Sequence, residues 1–107
     1  MRIGLSRIEG FLRELDDQSQ KKAIFLLRQL EQGSLPFLPD PHGEKVEKDL
    51  YALRIMTKTN PRLYYTVHSG TAIMLSGIYK KTGRIPLKTL DHCRQLIKQL
   101  HAQGGHS

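Results

Sequence analysis

Apolar residues recur along this chain at two different periods. Ile8, Phe11, Leu12 and Leu15 fall at helical spacing and predict a short first helix. Asp16-Asp17 breaks it, and Asp17 with Gln20 resembles a capping box opening a second helix through QSQKKAIFLLRQLEQ. Ala23, Ile24, Leu27 and Leu30 form its buried face, Lys21, Lys22 and Arg28 its wet side, and Gly33 its stop. GSLPFLPDPHGEKVEKD reads as a connection, because Pro36, Pro39 and Pro41 forbid a regular helix. Within it, Leu35, Phe37 and Leu38 are placed to dock on the core, while Lys45, Glu47 and Lys48 look to solvent. The period then shortens. Stretches rich in β-branched and aromatic residues at 50–57, 62–68 and 71–79 predict three strands. Lys58-Thr59-Asn60-Pro61 and Ser69-Gly70 supply the turns between them. LKTLDHCRQLIKQLHAQ predicts a third helix with Pro86 at its first turn, and Leu90, Cys93, Ile97 and Leu100 give its apolar stripe, widened by Leu87 and Leu96. Residues 103–107 read as a disordered tail. The order α-α-β-β-β-α is a single α+β domain over 1–107: a small antiparallel sheet of three main strands, two N-terminal helices and one C-terminal helix, with helices covering one sheet face.

Strand alternation then predicts which residues share the other face. Pairing the last two strands through Ser69-Gly70 sets His68 opposite Thr71, Tyr64 opposite Leu75 and Arg62 opposite Gly77. Arg62, Tyr64, Thr66 and His68 then lie with Ile73, Leu75 and Tyr79, and Leu63, Tyr65, Val67, Met74 and Ile78 form the core side. Gly77 leaves room above the sheet beside Arg62. Arg54 is placed beside Arg62 and Tyr64, since an unpaired arginine is rarely buried.

Composition sharpens this picture. The chain has 107 residues, enough for one modest core, and no tryptophan to fill it. No apolar run reaches the roughly 20 residues of a membrane span, and the N-terminus has no apolar stretch of signal type. Cys93 alone forms no internal disulfide or cysteine metal cluster, so the cytoplasm is the expected compartment. Residues 1–50 carry eight Lys+Arg and nine Asp+Glu, whereas residues 51–107 carry nine Lys+Arg and only Asp91. One-sided positive charge points to a polyanion, of which nucleic acid is the commonest, or to a merely soluble basic surface.

Arg54, Arg62, Tyr64 and Tyr79 on one face, with Lys80, Lys81 and Arg84 at its rim, have a chemical logic. Cleaving RNA by attack of its own 2′-oxygen needs a base, an acid and donors for a crowded phosphorane. Arginine forks match phosphate oxygens, a lysine among cations titrates nearer neutrality, and tyrosine stacks on a splayed base. This chemistry asks for no metal and no cofactor. No carboxylate is expected on the face. His68, near the hairpin tip, and His92, on the last helix, are the remaining acid–base candidates, though each reads more readily as a surface or supporting histidine. For Arg54 and Arg62 the alternative is a structural ion pair with Glu44, Glu47 or Asp49 of the connection.

The segments Leu50-Tyr51-Ala52-Leu53-Arg54, Pro61-Arg62-Leu63-Tyr64-Tyr65, Leu75-Ser76-Gly77-Ile78-Tyr79-Lys80-Lys81-Thr82 and Ile85-Pro86 together resemble the HigB-like, phage-derived branch of the RelE/ParE toxin superfamily. The resemblance covers roughly residues 8–100, and its most specific piece is Gly-Ile-Tyr-Lys-Lys-Thr with the trailing proline. The family usually opens with a longer strand, of which only residues 1–5 remain here. What the resemblance implies is a RelE-like fold and a type II toxin, an mRNA interferase acting typically in the ribosomal A site. It implies a small helix-turn-helix antitoxin (HigA-like) as partner beside messenger RNA and the ribosome. It carries Arg54, Arg62, Lys80 and Lys81 over as catalytic or phosphate-binding residues, Tyr64 and Tyr79 as stacking residues, and Thr82 as loop support. Arg84 joins the substrate-binding set from the basic rim. A nucleic-acid-binding relative without catalysis and a module receiving an acidic protein segment remain the alternatives.

Overall fold

A computed structural model describes residues 1–79 and 84–104. Five strands and three helices follow one another as β1 (Arg2–Gly4), α1 (Glu9–Glu14), α2 (Asp17–Gln32), β2 (Gly43–Glu47), β3 (Leu50–Arg54), β4 (Pro61–His68), β5 (Thr71–Tyr79) and α3 (Leu87–Gly104). The strands form one sheet in the order β1-β5-β4-β3-β2, with β1 parallel to β5 and every other pair antiparallel. The expected meander is its centre, β3-β4-β5. The sheet has two further strands that the three-strand expectation lacked.

Each addition has a local cause. β1 is three residues long, and hydrogen bonds tie it to the rim of the β4–β5 turn, from Arg2 N to Gly70 O at 3.1 Å. β2 lies inside the segment read as a connection. Its first residue must be glycine, because a Cβ at Gly43 would overlap the Leu38 carbonyl. Asp49, at φ 65°, turns the chain back into β3. Ser69 and Gly70 both take positive φ, 51° and 74°, as the expected β4–β5 hairpin turn requires.

Both sheet faces are covered, not one. Leu53, Leu63, Tyr65 and Met74 are fully buried beneath α1 and α2, with Leu26 and Leu30 of α2 above them. Leu50, Ala52, Tyr64 and Leu75 point the other way and are buried beneath α3 through Cys93, with Ile97 and Leu100 alongside. The apolar stripe read from Leu90, Cys93, Leu96, Ile97 and Leu100 is therefore the one that docks, while Leu87 at the helix start is 76% exposed. Gln103 and Gly104, expected in the tail, belong to α3, and residues 105–107 lie outside the described residues. On α2, Leu26 takes the buried place expected of Ile24, which is 46% exposed. No helix among the described residues is long and apolar enough to cross a membrane.

The cap of α2 also holds the β3–β4 connection. Asp16, one residue before the expected cap, accepts from Ser19 N at 3.1 Å and from the Thr59 hydroxyl at 2.7 Å. Buried Ser19 Oγ lies within hydrogen-bond distance of Thr57 and Thr59 hydroxyls. The Thr59 hydroxyl first, then the Ser19 donors, hold the Asp16 carboxyl below its ordinary value of 3.8. A carboxyl depressed in the folded state stabilises above its unfolded pKa and loses that contribution as pH falls through the folded value. The melting temperature should therefore fall as pH drops below about 4. Asp16→Asn, which caps without titrating, should shrink that fall in a thermal scan at pH 6 and pH 3.

Candidate functional site

β-Sheet register brings the two central arginines together. Arg54 ends β3 and pairs directly with Arg62 of β4, so both side chains leave the same face, as the strand alternation requires. Two like charges in opposed positions repel. The strand that relieves this is β2. Glu44 pairs with Ala52 and so stands diagonal to Arg54 on that face. Its Oε2 takes Arg54 Nη2 at 2.9 Å and Arg62 Nη1 at 3.5 Å. Of the three acids offered as ion-pair partners, Glu44 binds both arginines. The expectation of a face without a carboxylate is corrected by β2, which that expectation left out.

The pairing leaves one donor over. Arg54 Nε is buried and has no hydrogen-bond acceptor among the described residues. Arg62 is 6% exposed. A buried guanidinium donor without an acceptor costs on the order of 1–3 kcal/mol.

Next to this triad lies an open cavity of about 380 Å³. Glu44, Glu47, Arg62 and Arg84 supply its polar lining, and Val46, Ile85, Leu87 and Leu90 its apolar lining, with Tyr64 at its base. Glu47 reaches it through an irregularity. The β2–β3 register slips between Lys45 and Glu47, so Glu47 pairs with Leu50, a residue of the α3 side. In an unbroken strand Glu44 and Val46 would share a face and Glu47 would take the other. Arg94 of α3 grips Glu47 with both arms of its fork, Nε to Oε2 at 2.9 Å and Nη2 to Oε1 at 2.8 Å. That hydrogen bonding holds the Glu47 carboxyl below its usual range. Sequence reasoning named Glu44 and Glu47 only as ion-pair alternatives for the arginines, and it missed Arg94. The one available signal was the turn residue Asp49 between two short polar-apolar stretches.

The other expected positions separate into distinct places. Tyr64 is 1% exposed, so its ring offers no surface for a base to stack on. Burial raises its hydroxyl pKa, against the pull of Arg62, so the phenol remains a proton-bearing donor at neutral pH. Tyr79 lies on the opposite face, its ring 5.3 Å from that of Phe11. The reason is a bulge. The β4–β5 register runs as expected from His68↔Thr71 to Tyr65↔Met74, then slips, so Tyr64 pairs with Ser76, Leu63 with Gly77, Arg62 with Ile78 and Pro61 with Tyr79. One extra residue, Leu75, turns every later side chain over. Gly77 therefore sits under Phe11, not beside Arg62. Ile78, expected in the core beneath the first two helices, packs toward α3 instead.

Arg84 does join Arg62 at the cavity. His68 stands at the far end of β4, with its ring 6.0 Å from His101 of α3. His92 is exposed on α3 and outside the cavity lining. Lys80, Lys81 and Thr82 lie outside the described residues. Cys93 faces the sheet from α3 and is buried in that core, and burial pushes its thiol up to about 11.

Comparison with curated proteins gives no match. Residues 10–98 match the family described as phage derived protein Gp49-like (DUF891). That span takes in both N-terminal helices, strands β2 to β5 with the arginine pair and its glutamate, and most of α3. The chain thus belongs to the Gp49-like phage-derived family, within the RelE/HigB-like toxin superfamily.

Proposed function

We propose that this protein is the toxin of a type II toxin–antitoxin system, of the HigB-like branch, and that it cuts messenger RNA on the ribosome in the cytoplasm. The observation that carries this reading is the register pair Arg54–Arg62 bridged by Glu44, with Arg54 Nε buried and unmatched. A phosphodiester is the anion such a pair suits, since each guanidinium presents planar, directed donors to its oxygens. Donors fixed in advance favour the phosphorane, where negative charge is greatest, over the ground state. The reaction forms a bond from the 2′-oxygen to phosphorus and breaks the bond to the 5′-oxygen. The 2′-proton passes to a base, and a proton goes to the leaving 5′-oxygen. Glu44, between the two guanidiniums, is the carboxylate positioned to accept the first proton. Lys80 and Lys81 are proposed from the sequence motif as phosphate ligands or proton donors, with Thr82 supporting them. The products are a 2′,3′-cyclic phosphate and a free 5′-hydroxyl. Binding to a helix-turn-helix antitoxin is part of the same proposal.

Induced expression tests it. The expected result is growth arrest within minutes, with messages ending in 2′,3′-cyclic phosphate, relieved by co-expressing a helix-turn-helix protein from the adjoining reading frame. Uncut messages during arrest would count against catalysis. Salt-sensitive RNA binding without cutting would support the binding-only reading.

A further inference from the structure

We infer that the cavity beside the arginine pair is a nucleobase subsite that reads an exocyclic amino group through Glu47. This inference rests on the RNA reading and adds to it a substrate preference. The cavity, at about 380 Å³, lies in the lower part of the ~300–1,000 Å³ range of small-molecule sites. Its charged lining is balanced, two carboxylates against the guanidiniums of Arg62 and Arg84, so it offers a second phosphate no net positive charge. Two carboxylates, Glu44 and Glu47, face the same hollow on a chain of net charge +7. Each repels an anion, and each accepts hydrogen bonds. Glu44 is already engaged by two guanidiniums, which draw the phosphate to its side. Glu47 also lines the cavity, and Val46, Leu90 and Ile85 add apolar surface to it.

A flat neutral group with apolar faces and an N–H edge meets all of these demands at once. A base seated there would lie against Val46 and Leu90 and donate its amine to Glu47. Arg94 holds that carboxylate still with a two-bond fork and keeps it ionised. Cytosine, adenine and guanine carry the amine. Uracil presents one N–H between two carbonyl oxygens, which a carboxylate repels. An amino base should therefore be preferred over uracil by roughly tenfold.

The test uses the full-length protein and two kinds of probe: cytidine and uridine 3′-monophosphates by nuclear magnetic resonance titration, and single-stranded RNA oligomers differing at one base beside the cut. Cytidine 3′-monophosphate should bind roughly tenfold tighter than uridine 3′-monophosphate, and cutting should show the same order at one fixed position. Glu47→Gln keeps the shape but presents a donor arm, and should bring the ratio close to one. Arg94→Ala removes the brace but leaves the carboxylate, and should keep the order of preference at a reduced ratio. Equal loss of preference in both variants would assign Glu47 a latch role only and overturn the inference. Cutting with no base preference in the wild type would overturn the subsite while leaving the nuclease standing. Discrimination between the nucleotides without any cutting would uphold the subsite and overturn the nuclease.

Discussion

Arg62→Ala should abolish toxicity and lower RNA cleavage by about 10²- to 10³-fold, the usual loss when one fixed donor to a developing anion is removed. Arg62 is 6% exposed, lies opposite Arg54 and shares Glu44 Oε2 with it. Its removal takes away one planar fork and leaves Glu44 to Arg54 alone, so the remaining guanidinium is drawn further toward the carboxylate. Arg62→Lys should recover little, because an ammonium keeps the charge but not the fork. The measurement is single-turnover cleavage of a short RNA, with a circular dichroism melt as the control for folding. A folded Arg62→Ala protein that cuts at the wild-type rate would remove the arginine pair from the chemistry. Thermal stability should change much less than activity, since Arg54 still neutralises Glu44 at 2.9 Å.

That prediction draws on what was legible in the sequence. Helical period placed the three helices, and β-branched and aromatic content between turn residues placed the three central strands, to within a few residues. The turn chemistry of Ser69-Gly70 fixed the β4–β5 register at its closed end. Arg54 and Arg62 could be set side by side from strand alternation and the cost of burying a lone charge. The motif resemblance pointed to the toxin superfamily that includes the Gp49-like family matched by residues 10–98.

The misreadings have physical causes. β2 is five residues of GEKVE, too polar and too short to stand out after Pro36, Pro39 and Pro41. It forms because β3 offers an open edge and because Gly43 admits the Leu38 carbonyl. With β2 missing, Glu44 had no place on the arginine face, and a site with a carboxylate was read as a site without one. The second cause is the pair of register slips, at Val46 and at Leu75. A bulge inserts one residue and inverts everything after it, yet neither position carries a glycine or proline to announce it. The third is α3. Its apolar stripe was plain, but whether it joins the first two helices or takes the opposite face depends on tertiary packing, and it takes the face where Tyr64 was expected to meet a base.

Gly77 separates the expected geometry from the observed one most sharply. As the floor of a hollow beside Arg62, it would tolerate a methyl group with full stability and reduced activity. In the structure a Cβ there would overlap the Phe11 ring, which also packs on Tyr79 at 5.3 Å. Gly77→Ala should therefore destabilise the fold by about 1–3 kcal/mol, the ordinary cost of overpacking. For a domain of this size that is a fall of roughly 4–8 °C in melting temperature per kcal/mol. Phe11→Ala should also destabilise, because it empties the space beneath α1. The two together should cost less than their sum, since without the ring the new methyl has room. A thermal melt of the four proteins closes that cycle. Additive losses would mean that Phe11 does not sit on Gly77. Cleavage lost in Gly77→Ala at a temperature where it remains folded would return Gly77 to the arginine face and undo the bulge at Leu75.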